Sequence, residues 1–108
     1  MSSEYAHIQD LAATIEIPSE GILTKTHFED ESVKVILFGF SKGQELSEHT
    51  SSKPAMLYFA RGQGILRLGG DEHSIVPGAW TYMPPDLPHT IKAETDVAML
   101  LVLMKSKS

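Results

Sequence analysis

Gly78-Ala79-Trp80-Thr81-Tyr82-Met83-Pro84-Pro85-Asp86-Leu87-Pro88-His89-Thr90-Ile91-Lys92-Ala93 is the stretch on which the fold turns. Pro84, Pro85 and Pro88 remove three backbone donors in close succession, so no central strand passes through them and the chain must bend before His89. Past the bend it resumes as a strand. The two-residue period of a strand places His89 and Ile91 on one face.

Outward from this stretch, turn formers recur at short, fairly even intervals: Pro18 to Gly21, Glu29 to Ser32, Lys42 to Gly43, Ser51 to Pro54, Gly62 to Gly64, Gly69 to Asp71, Pro77 to Gly78, Pro84 to Pro88 and Glu94 to Asp96. Runs of four to eight residues between such turns predict an all-β fold, a sandwich or barrel of short antiparallel strands. Gly64 to Ile75 reads as a hairpin turning at Gly69-Gly70-Asp71. Tyr5 to Leu11 fits either one helical turn or an extended arm, and the polar tail Lys105 to Ser108 is expected to fray. The whole chain, 1–108, is expected to form a single domain, with its barrel core at about 22–104 and an N-terminal arm over 1–21.

Two runs, Val33 to Phe40 and Val97 to Met104, are almost continuously apolar. Strands covered on both faces read this way, so each is expected to have the core on one side and a further layer on the other, a partner subunit in a homodimer being one such layer.

A domain of this length buries roughly 65% of its unfolded surface, enough for one modest core. Fourteen acidic and nine basic residues give a formal net charge of −5, with no Lys and Arg stripe to follow phosphates, so nucleic acid is not an expected partner. The chain has no cysteine, which removes both a disulfide framework and a Cys-based zinc site. Met1 to Asp10 lacks a basic region followed by an apolar run, and no apolar stretch reaches the ~20 residues of a spanning helix. A cytoplasmic protein with no membrane partner is the expectation.

Chemistry concentrates at a few positions. Strand alternation puts His49 and Ser51 on one face, and a barrel that joined their strand to that of His89 would bring the two imidazoles near one another. The spacing around them resembles the two motifs of the cupin family. The first runs Gly, five residues, His, one, His, three or four, Glu, six, Gly; Gly43, His49 and Gly62 fit it, while Ser51 stands at the second His and Ala55 at the Glu. Ala55 to Gly62 is similar to the family's Glu-x-x-Tyr-x-x-x-Gly run, with Tyr58 in register. The second motif runs Gly, five, Pro, one, Gly, two, His, three, Asn; Gly78, Pro84 and His89 fit it, with Asp86 at the second Gly and Ala93 at the Asn.

The resemblance implies a small antiparallel double-stranded β-helix, the jelly-roll barrel, with its site inside. In the family, three His and one Glu hold one divalent metal. Imidazole and carboxylate suit iron, manganese, nickel or zinc, but here only His49 and His89 remain of that set, a poor site, since zinc sites use at least three protein ligands. His27 and His73 are the candidates for a third ligand, although neither stands at a family position.

Two functional readings follow. In the first, His49, Ser51, Tyr58 and His89 bind a small polar or anionic molecule directly, with Phe59, Trp80, Tyr82 and Met83 as further candidates to line the pocket. In the second, a metal-dependent dioxygenase, isomerase or decarboxylase acts on a small oxygenated metabolite, as the resemblance implies. The plain alternative is a pair of imidazoles satisfied by a carbonyl or water. An effector-sensing role is a third reading, without DNA contact of its own. Glu48 is expected to face away from His49; Glu45 is a slightly better candidate to orient it. Asp86 reads as a turn residue tolerating a left-handed backbone.

Overall fold

The computed structural model describes residues 5–105. Among them a helical turn, α1 (Leu11–Thr14), precedes nine strands: β1 (Ile22–Glu29), β2 (Val33–Phe40), β3 (Glu45–His49), β4 (Ala55–Arg61), β5 (Gly64–Leu68), β6 (Asp71–Ile75), β7 (Trp80–Met83), β8 (His89–Ala93) and β9 (Val97–Met104). Every turn cluster legible in the sequence falls before or between strands. The strands form two antiparallel sheets, ordered β1-β2-β9-β4-β7 and β3-β8-β5-β6, which makes the chain an all-β jelly-roll barrel.

Alternation decides what fills the barrel. On β4, Ala55, Leu57 and Phe59 are buried, and they meet Phe40, Leu66, Ile75, Met83, Ile91, Val97 and Met99 in one core. Burying a side chain such as Phe59 contributes roughly 1.5–3 kcal/mol. The intervening Met56 and Tyr58 face outward, paired across to Tyr82 and Trp80 on β7.

The two apolar runs are neighbours, β2 lying beside β9 in unbroken register from Val33↔Met104 to Phe40↔Val97. Part of their outer cover comes from the chain itself. Ile15, on the arm before β1, packs with Leu37 of β2 and Ala98 of β9, and Leu11, Ile17 and Leu100 close around them. Asp10 caps the helical turn through its carboxylate, which accepts the Ala13 N–H at 3.3 Å. The segment expected to be a helical turn or an arm is thus irregular up to Asp10 and helical only from Leu11. The strap lies so close that a side chain at Gly39 would overlap the Glu16 carbonyl oxygen.

At the other end of the sheet, Asp30 accepts the Ser32 and Val33 N–H groups at 2.8 and 2.9 Å, which tightens the β1–β2 turn and lowers its pKa. Lys105 reaches the Glu29 carboxylate at 2.8 Å and the Asp30 carbonyl at 2.7 Å, and its ammonium holds Glu29 below the usual carboxylate range. The tail beyond Lys105, expected to fray, lies outside the described residues, as do the first four residues of the arm. No helix among the described residues is long and apolar enough to cross a membrane.

Candidate functional site

His89 opens β8 and His49 closes β3, and the two stand directly across from one another in the second sheet. Strict alternation from Leu46, which packs against the core, would send His49 outward. A bulge between Leu46 and His49 inserts an extra residue, so His49 shares the face of Leu46 and of the buried His89 while remaining exposed itself, and Ser47 and Glu48 are absorbed on the other side. The imidazole centroids are 4.2 Å apart and the rings are inclined at 60°.

Both rings are held the same way. Nδ1 of His89 lies 3.0 Å from the Leu87 carbonyl oxygen, and Nδ1 of His49 lies 3.1 Å from that of Ser47. A carbonyl only accepts, so each Nδ1 must carry the proton and each neutral ring has a bare lone pair on Nε2. Neither Nε2 has a hydrogen-bond partner among the described residues. Because no buried side-chain polar atom there is left without one, Nε2 of the buried His89 opens onto accessible space. The carbonyls of Ser47 and Leu87 are functional groups that sequence reading misses. The only signal was spacing, each carbonyl belonging to the residue two before the histidine.

Burial lowers the His89 pKa, the Leu87 carbonyl opposes this by raising it, and the nearby His49 lowers it further. In the unfolded chain the ring binds protons near its ordinary pKa of about 6.5. The stabilising effect of keeping it neutral is therefore present above that value and is lost as pH falls through the lower folded value. Melting temperature is expected to drop on acidification below about pH 6.5, and less so in His89→Asn. Equal slopes in the two proteins, followed by circular dichroism, would rule out His89 as the source.

An apolar layer lies beneath the pair. The row next to His49 and His89 consists of Leu46, Ile91 and Leu66, and on the facing sheet Ala55 pairs with Met83 on inward-facing positions. The core is packed directly beneath the pair, so the space open to Nε2 of His89 lies above this layer, at the mouth of the barrel. Grooves also lie outside the barrel: one of about 450 Å³ between Leu11, Phe28 and Val102, one of about 330 Å³ between Glu48, Arg67 and Lys92, and one of about 220 Å³ under the arm beside Ile15 and Leu37.

The structure separates the remaining candidates. Ser51 does not share the strand face of His49, because β3 has ended; its hydroxyl accepts the Lys53 N–H at 3.1 Å, and its carbonyl accepts the Asp86 N–H at 2.7 Å. It ties the loop after β3 to the proline loop. Asp86 does adopt the left-handed backbone, with φ 69°. Tyr58 sits on the outer face of the first sheet, as do Trp80 and Tyr82, which corrects their reading as pocket residues: each alternates with an inward neighbour. Phe59 is fully buried core and Met83 lines the barrel. Glu45 and Glu48 both lie on the outer surface of the second sheet with Arg67 and Lys92, so neither orients an imidazole.

His27 lies at the β1 irregularity, on a groove outside the first sheet, and His73 is exposed on the edge strand β6 with all of β5 between it and β8. Neither joins the pair. Among the described residues no group of three His, Cys, Asp or Glu is placed to hold a metal ion. With buried Ala55 at the carboxylate position and Ser51 held in a turn, the side chains present do not fit the metal centre that the resemblance implies.

Comparison with curated proteins gives no match. Among solved structures the chain is similar to a conserved protein of unknown function from Streptococcus pyogenes, at 26% identity and a TM-score of 0.84, with 98% of this chain and 93% of that one covered. A cupin superfamily protein from Desulfitobacterium hafniense superposes at a TM-score of 0.83 and 20% identity, covering 98% and 95%. A salicylate 1,2-dioxygenase variant from Pseudoaminobacter salicylatoxidans shares the fold at a TM-score of 0.73 and 14% identity, over 77% of this chain and 26% of that one. The family profile described as cupin domain matches residues 36–104, which takes in β3 to β9 and both histidines, and on that match the chain belongs to the cupin family.

Proposed function

We propose that the barrel mouth binds a small polar molecule directly, through Nε2 of His49 and Nε2 of His89, without a metal ion between them. The observation that carries this reading is the matched pair of imidazoles 4.2 Å apart, each with its Nδ1 proton committed to a carbonyl. Two rings fixed in orientation before a ligand arrives lose little freedom on binding it. An anion fits this pair only when a ring takes up a proton, since a bare lone pair offers nothing to an acceptor.

The reading as a metal-dependent enzyme draws support from the fold shared with a dioxygenase, and at 14% identity that likeness concerns the scaffold alone. The donor set speaks against it. Protein purified without chelator is expected to hold no stoichiometric iron, manganese, nickel or zinc by elemental analysis, and one equivalent per chain would end the proposal. Ligands found by screening against the wild type are expected to bind His49→Ala/His89→Ala roughly 10- to 100-fold more weakly, the effect of losing two hydrogen bonds.

A further inference from the structure

The donor and acceptor pattern at the mouth narrows the ligand beyond a small polar molecule. We infer that the mouth takes an uncharged molecule with hydroxyl groups on neighbouring atoms, one donating to Nε2 of His49 and the other to Nε2 of His89. This rests on the reading of the mouth as a binding site. Both Nδ1 atoms donate to carbonyls that can only accept, so on neutral rings both Nε2 atoms are acceptors. Their complement is a pair of donors close together, because the ring centroids are only 4.2 Å apart. A carboxylate brings acceptors alone and meets two lone pairs.

An ammonium group has donors, but it would have to shed water against an apolar layer. Leu46, Ile91 and Leu66 form the row beside the histidines, and Ala55 and Met83 face inward from the other sheet. Burial there already disfavours charge on His89. The same layer suits the carbon skeleton of a hydroxylated compound, whose C–H groups can cover it while the hydroxyls turn to nitrogen. A neighbouring pair of hydroxyls is the simplest group that satisfies both demands.

The test uses the full-length wild-type protein at pH 8, above the ordinary imidazole range, with long-range proton–nitrogen correlation spectra of the histidine rings. The free protein should show protonated Nδ1 and bare Nε2 for His49 and His89; protonated Nε2 at either would overturn the inference before any ligand is added. Four probes of one size follow: 1,2-propanediol, 1-propanol, propionate and propylammonium. The diol should shift both Nε2 resonances saturably, and 1-propanol should do so roughly 2- to 10-fold more weakly, the loss of one neutral hydrogen bond. Propionate and propylammonium should be weaker still. Equal or tighter binding of either ion at the same two nitrogens would overturn the uncharged class while leaving the site intact, and equal binding of the alcohol would remove the two-point contact. If no probe moves either ring, the binding reading falls together with the inference.

Discussion

The double variant Ser51→His/Ala55→Glu is expected to take up one equivalent of nickel or zinc at least on the order of 100-fold more tightly than the wild type, the upper range for altering even outer-shell partners of a metal. Ala55 is only 2% exposed and faces inward beside Met83, at the position where the family has its carboxylate. Ser51 lies two residues beyond His49 on a loop fastened to the proline loop through its own carbonyl, an anchor that a side-chain change leaves in place. Together the substitutions raise the donor set from two to four. Without metal the variant should melt below the wild type, because a carboxylate is then buried in apolar surroundings, and added nickel should restore much of the difference by binding only the folded state. Calorimetric titration and thermal melts with and without nickel measure both effects. An affinity no better than that of the two histidines alone would mean that positions 51 and 55 do not converge on the pair.

Gly62→Ala is expected to cost roughly 3 kcal/mol, combining left-handed strain with a backbone collision. Gly62 has φ 93°, which disfavours any side chain, and a Cβ there would overlap the Asp96 carbonyl oxygen in the turn leading into β9. That oxygen belongs to the backbone just before the paired Val97, so the collision is not relieved by a rotamer change. Gly43→Ala separates the two causes: φ is 89°, but nothing lies within 4 Å of an added Cβ. It should lose only the conformational part, about 1–2 kcal/mol. Melting temperatures should fall on the order of 10–15 °C for Gly62→Ala and about half that for Gly43→Ala. Equal losses would show that the contact with Asp96 contributes nothing.

The fold was legible because its punctuation is local. Glycines and prolines mark their turns whatever surrounds them, and the register from Gly43 to His89 holds across two separate motifs. The position of each histidine in its motif was legible too. What was hidden depended on backbone events that leave no residue signature. The bulge between Leu46 and His49 reverses the direction of a side chain, and β3 ends at His49, two residues before Ser51. Tyr58 differs for another reason: its alternation against Leu57 and Phe59 directs it outward, whereas its register in the motif alone points to the site. The extra layer over β2 and β9 could not be assigned from their apolar faces, since such faces record that something covers them and not what does. Part of it proved to be Ile15 of the same chain.

The pairing of β2 with β9 also governs how the chain reaches this structure. Val33 bonds alongside Met104, so the five-stranded sheet cannot close until its last strand is available, whereas the β5–β6 hairpin needs only its own two-residue turn. Ordering such distant segments is an entropic barrier met before most of the core is rewarded, which makes refolding slow for the size of the domain. During synthesis, β2 and β4 emerge with the edges that β9 will join still unpaired, and this interval is when the protein is most exposed to aggregation.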